Sequence, residues 1–207
     1  FTGIVDLDEP NPTNLDGGTF NDIATLVNAA PYGAYITAKL VADKTHILMS
    51  LVSLAGKNLM VVKEGAGIDP ILQPGAFVSS NLNQCYRFTN MLGGCLTIQN
   101  VDIRLPAKAD ANLDWNVFYH VLIDSTTAAT VDVRLMSCSF SGSDGAAVVT
   151  VNRGTIVNLT LFSTSFDGLV FGVTHVGGWG IAHIASQALT LTNGALAQSG
   201  GTLGTDL

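Results

Sequence analysis

Val101-Asp102-Ile103-Arg104-Leu105 returns thirty residues later as Val131-Asp132-Val133-Arg134-Leu135, and after another 26 as the similarly alternating Val157-Asn158-Leu159-Thr160-Leu161. Apolar side chains occupy the first, third and fifth positions of each copy. That period of two marks a strand with one face in a core and the other facing out. The flanks recur as well: Met136-Ser137-Cys138-Ser139-Phe140-Ser141-Gly142 follows the second copy and Phe162-Ser163-Thr164-Ser165-Phe166-Asp167-Gly168 the third. A second apolar strand is expected ahead of each of these two copies, over Phe118 to Asp124 and Ala146 to Asn152. The repeating unit therefore reads as strand, short turn, strand and Ser/Phe/Gly corner. Leu169 to His175 with Ala188 to Thr192 supplies a further unit and Asn58 to Val62 an earlier one, giving about five stacked units of variable length.

The composition suits such a stack. A chain of 207 residues can bury a sizeable core as one domain, and its 22 glycines supply tight corners. Only 12% of residues are charged and the mean hydropathy is +0.39, so much of the surface is uncharged or covered. The 38 residues from Gly168 to Thr205 contain no Asp, Glu, Lys or Arg. Glycine pairs, Asn193-Gly194 and frequent Ser and Thr interrupt every stretch long enough for a membrane helix, which leaves a buried C-terminal region or an intersubunit interface. An obligate oligomer is expected. The net charge of −7, the pI near 4.7 and the scattered basic residues argue against nucleic acid as a partner, because phosphate recognition needs clustered cations.

Residues 1–18, rich in Asp, Pro, Asn and Gly, are expected to form an extended N-terminal arm able to reach a neighbouring subunit. No basic and apolar leader is visible at the start, and the first residue is Phe1 instead of Met, so a processed or trimmed sequence is expected. Thr19 stands three residues before Asp22, a variant of the capping box, and Phe20, Ile23, Ala24, Val27 and Ala30 recur at helical spacing, so an amphipathic helix is expected over 19–30 ahead of Pro31. Strands are expected at Tyr35 to Leu40 and Ile47 to Leu54.

This order of helix, Ala29-Ala30-Pro31-Tyr32-Gly33-Ala34-Tyr35-Ile36-Thr37, apolar strand and then Gly56-Lys57-Asn58-Leu59-Met60-Val61-Val62 resembles the opening of right-handed parallel β-helix proteins of the pectin-lyase-like superfamily. The Ser/Phe/Gly corners are similar to that superfamily's rungs, so the resemblance covers roughly residues 19 to 195. It implies an all-β domain over 19–207, a parallel β-helix of about five rungs whose open end is capped by the helix. An antiparallel jelly-roll β-sandwich is the alternative, since it can use the same strands. The superfamily includes polysaccharide lyases and hydrolases, phage tailspikes and non-catalytic virion appendages, so the resemblance is more specific for fold than for activity.

The carboxylates separate these outcomes. Glycoside hydrolysis requires two of them about one bond, and a calcium-assisted lyase requires an acidic cluster with a base. The chain has two glutamates, Glu9 and Glu64, and no adjacent Asp pair, and the Asn-Thr-Asp, Gly-His-Gly and Arg-Ile-Lys signatures of polygalacturonases are absent. One constellation stands out. If the first two copies stack in register, Asp102 lies beside Asp132 and Arg104 beside Arg134 on one outward face. These are the candidate catalytic carboxylates and candidate binding cations for a glycan, set against the plainer reading of a charge-compensated surface ladder.

No metal site or cofactor is expected. His46, His120, His175 and His183 lack close ligand spacing, and Cys85, Cys95 and Cys138 read as small buried side chains. The aromatic residues Trp115, Trp179, Tyr32, Tyr35, Tyr86 and Tyr119 are sparse for a sugar-binding cleft, and the Asn158-Leu159-Thr160 sequon falls inside an expected strand. Together with the resemblance, these features lead to the expectation of a non-catalytic phage virion protein, a capsid decoration or appendage subunit located in the virion. It would form a homotrimer and contact other virion proteins through the arm. A tailspike-type depolymerase or lyase acting on surface glycans and a bacterial surface adhesin are the alternatives.

Overall fold

The computed structural model describes residues 1–6, 17–48, 52–74, 87–89, 94–104, 119–124, 130–141, 146–150, 155–167, 173–175, 180–187, 190–192, 198–199 and 202–205. Over these the protein is all-β apart from one short helix. Strands β1 (Thr2–Val5) and β2 (Thr19–Phe20) precede helix α1 (Ile23–Ala29). Six circuits of three strands follow: β3 (Tyr35–Val41), β4 (Thr45–Leu48) and β5 (Val52–Ser53); β6 (Asn58–Glu64), β7 (Ile71–Pro74) and β8 (Arg87–Thr89); β9 (Cys95–Gln99), β10 (Asp102–Arg104) and β11 (Tyr119–Asp124). The later circuits are β12 (Thr130–Met136), β13 (Ser139–Ser141) and β14 (Ala146–Thr150); β15 (Thr155–Phe162), β16 (Ser165–Asp167) and β17 (Val173–His175); β18 (Gly180–Gln187), β19 (Thr190–Thr192) and β20 (Gln198–Ser199), with β21 (Thr202–Thr205) last.

The first strand of every circuit joins one nine-stranded sheet in the order β2-β1-β3-β6-β9-β12-β15-β18-β21. The second and third strands build two six-stranded sheets, each ordered strictly by circuit. Every described ladder is parallel, whereas a jelly roll is built from antiparallel pairs. Val101, Ile103, Val131, Val133, Leu135, Leu159 and Leu161 are each at most 1% exposed, as the alternation requires. Leu105 and the side chain of Val157 lie outside the described residues.

Two features of the repeat are corrected. The Ser/Phe/Gly segment is itself a strand, β13 or β16, so a circuit holds three strands, and among the described residues each of the two smaller sheets has six strands where about five units were expected. A three-residue strand buries a single side chain, here Phe140, and so carries no visible alternation. The copies Val101–Leu105 and Val131–Leu135 also do not stack. Asp132 pairs with Cys95 and Asn158 in the first sheet, whereas Asp102 pairs with Ile71 and Ser139 in the second.

The bend between the first and second sheets is held from circuit to circuit. Asn100, Ser137 and Ser163 follow the paired residues Gln99, Met136 and Phe162 and take positive φ of 55, 51 and 47°. Serine in place of Gly or Asn costs roughly 1–2 kcal/mol there. The cost is offset by amides that point along the stack: Asn100 N donates to Met136 O at 3.1 Å and Ser137 N to Phe162 O at 2.8 Å. The next residue plugs the preceding circuit. Cys138 Sγ donates to Ile98 O at 3.2 Å, and Thr164 Oγ1 donates to Leu135 O at 2.9 Å. Burial pushes the Cys138 thiol up to about 11, as expected of a small buried side chain and not of a reactive thiolate.

At the N-terminal end the helix is shorter than the expected 19–30. Thr19–Phe20 is strand β2, paired with Ile4 and Val5, and the N-cap is Asp22, whose side chain accepts from Ala24 N and, at 3.4 Å, from Thr25 N. Pro31 disfavours helical geometry at Ala30, which is extended. Within the expected arm, Thr2–Val5 form β1, hydrogen-bonded between β2 and β3, and residues 7–16 lie outside the described residues. Gly3 permits this strand to sit close, since a Cβ there would meet Phe20 at 2.7 Å and Leu26 at 2.9 Å. The helix buries Ile23, Ala24, Leu26 and Val27 against β2, β3 and β5. Lys57 is buried beneath it and donates to Val27 O at 2.6 Å, placing a cation at the helix C-terminus; burial lowers its pKa.

Candidate functional site

The alternation that buries Leu96, Val133 and Leu159 turns their neighbours outward on the nine-stranded sheet, and the register aligns those neighbours in rows. One row runs Tyr35, Asn58, Cys95, Asp132, Asn158, and its register continues to His183. The next runs Thr37, Met60, Thr97, Arg134, Thr160. A third runs Lys39, Val62, Gln99, Met136, Phe162. Tyr35, Met60 and Phe162 are exposed large apolar side chains on this face, at 78, 38 and 40%.

The charges of the face are met within it. Lys39 Nζ lies 3.0 Å from Glu64 Oε2, across the first pair of circuits. Asp132 Oδ1 accepts from Asn158 Nδ2 at 2.8 Å, and Arg134 Nη2 stands 4.0 Å from Asp132 Oδ2. In the sequence Asn158 stands out only as part of a sequon. It is the partner of Asp132, a role visible only once the 26-residue register is known.

Asp102 and Arg104 belong elsewhere. On the outer side of the second sheet, Arg104 Nε and Nη2 both donate to Asp102 Oδ2, at 2.8 and 2.6 Å, and Ser139 Oγ donates to Asp102 Oδ1 at 2.7 Å. The expected ladder of Asp102 on Asp132 and Arg104 on Arg134 is therefore not formed. Both copies obey the same in-and-out rule, which strands of different sheets share, so their likeness does not report a common sheet. Each carboxylate instead has its own arginine two residues on and a neutral donor one circuit later. That arrangement compensates charge and offers no pair of carboxylates about one bond.

Among the remaining candidates, His46 is buried, Cys95 is partly exposed with Sγ 3.7 Å from Thr97 Oγ1, and Tyr32 is exposed beside Gly56. Cys85, Tyr86, Trp115 and Trp179, and the side chains of Tyr119, His120, His175 and His183, lie outside the described residues. No group of three metal-ligating side chains occurs among the described residues, and no helix there is long and apolar enough to cross a membrane. Comparison of the chain with protein-family models, with curated proteins and with solved structures finds no match in any of the three.

Proposed function

We propose that the protein is a non-catalytic structural subunit of a phage virion, a right-handed parallel β-helix that assembles as a homotrimer through the outer face of its nine-stranded sheet. The helical reading is supported by the fixed visiting order of the three parallel sheets, and its hand by the strong preference of parallel crossovers. The observation that carries assembly is the face itself: exposed Tyr35, Met60 and Phe162 are interspersed with charges already paired inside the protomer. Such a face loses water at lower cost than one with unmatched ions, and it suits a second copy of an acidic chain better than a cationic partner. Strands β18 and β21, from the 38-residue uncharged segment, extend the same sheet. The face would then run the length of the subunit.

Light scattering at micromolar concentration should give the mass of a trimer. Met60→Asp and Phe162→Asp should each yield monomer with an unchanged far-ultraviolet circular dichroism spectrum, because both side chains are outside the core. A wild-type protein that stays monomeric rejects the assembly reading.

The absence of catalysis is tested separately, with a panel of bacterial capsular and lipopolysaccharide glycans assayed for new reducing ends and unsaturated products. No product is expected, and Asp102→Asn with Asp132→Asn should assemble like the parent. Product release that disappears in the double variant would make the protein a depolymerase.

A further inference from the structure

The second sheet buries one inward row in which His46 pairs with Leu72, Leu72 with the circuit of Ile103, and Ile103 with Phe140. His46 is the single ionisable member described in that row, and it is 2% exposed. Its Nε2 lies 2.9 Å from Val41 O, so this nitrogen carries the hydrogen and donates it. The other nitrogen, Nδ1, is buried without a hydrogen-bond partner. The neutral ring fits this position: one N–H is used, and the bare Nδ1 lone pair faces an apolar interior. An imidazolium does not fit, because it would bury a second N–H and a positive charge with no acceptor.

The charged groups that act on the ring, among the described residues, are Asp6 and Lys44. Asp6 follows β1, and its carboxylate receives Lys44 Nζ at 2.7 and 2.8 Å, tying the N-terminal strand to the turn that enters β4. On the ladder side β7 presents Leu72, and α1 carries no charged residue. Among the described residues β4 is moreover the end strand of its sheet, paired with β7. An end strand held by one ladder opens more readily than an interior one held by two.

We propose that His46 is an acid-responsive latch on the N-terminal end of the stack: its protonation releases β4 together with β1, β2 and α1, while the circuits from β9 onward stay folded. Opening lets the protonated ring reach water and parts Lys44 from Asp6, which breaks the tie between β1 and the β4 turn. The direction follows from linkage. Burial holds the His46 pKa below its ordinary 6.5, so the opened form binds the proton more readily. Closure is complete above that value and weakens as pH falls from it towards the lower native pKa. Each unit between the two pKa values favours opening about tenfold.

Hydrogen exchange read by mass spectrometry at about pH 7.5 and about pH 5, corrected for intrinsic rates, tests the latch on the assembled protein. Amides of residues 2–5, 17–29 and 45–48 should lose protection in acid, with those of 131–135 and 159–161 unchanged. His46→Leu should keep the end closed at both values, and Asp6→Asn should still open. Imidazole resonances in histidine-labelled protein give a second readout, in which the His46 titration must coincide with the loss of protection. Acid opening that persists in His46→Leu, opening that is lost in Asp6→Asn, or an end that stays protected while His46 titrates would each overturn the proposal.

Discussion

Val133→Asp is expected to abolish cooperative folding. Val133 is fully buried, paired in register with Leu96 on one side and Leu159 on the other, both also buried. An aspartate there stands between the buried aliphatic side chains of Leu96 and Leu159, neither of which can donate to it. The chain must either bury an unpaired carboxylate or protonate it and bury an unpaired acid, and such substitutions belong to the small class that costs more than about 4–5 kcal/mol. Since a whole domain is stable by only about 5–15 kcal/mol, little or no native protein should remain. The neighbouring position is the control, for Asp132 is a natural aspartate one residue away that points outward to Asn158. Thermal circular dichroism of Val133→Asp beside Val133→Thr distinguishes the cases. A sharp melting transition in the aspartate variant close to that of the parent would mean that Val133 is not in the core.

The contrast between positions 132 and 133 also shows what is legible in this chain. Alternation reports which residues point inward, and it does so wherever a strand is long enough to display it: Val131, Val133 and Leu135 are buried as read. It does not report which sheet a strand joins. Val101–Leu105 and Val131–Leu135 match in spelling but sit at different points of the circuit, and the intervening segment 105–118 obscures the true period. The dependable marker was the corner. Cys138 and Thr164 were matched from their flanks, and the structure gives them the same task of plugging the preceding circuit. Backbone geometry at Ser137 and Ser163 allows only one phase, whereas an apolar alternation tolerates several.

Short elements were the least legible. Thr2–Val5 offers two buried side chains at most and is followed by Asp and Pro, so its place in the sheet depends on β3, more than thirty residues away, and on the clearance that Gly3 provides. The charges of the candidate site failed in the same manner. The sequence places Arg104 beside Arg134 in one charge-compensated ladder; the compensation is met, but by an aspartate two residues back along each arginine's own strand, at 2.6 and 4.0 Å. Contacts at that spacing need no register and say nothing about it.

Phe140→Ala should produce the largest loss of stability of any apolar truncation among the side chains described in the second sheet. The ring is 1% exposed, among the largest fully buried side chains described, and its strand supplies no other inward residue. Ile103 pairs with it on one side, and on the other the backbone register continues to Phe166, so the site lies between two ladders that cannot close together: the strand spacing of about 4.8 Å is fixed by backbone hydrogen bonds. A cavity that cannot collapse retains its full cost, which for a buried Phe→Ala is about 3–5 kcal/mol. Phe140→Leu should lose markedly less, because the branched side chain refills part of the volume. Denaturant titration of the three proteins measures this as a fall in midpoint at an unchanged slope, since the unfolded surface is nearly the same. An alanine variant no less stable than the leucine variant would show that the corner residues Ser137 and Cys138, with their carbonyl and amide partners along the stack, hold β13 in place without the ring.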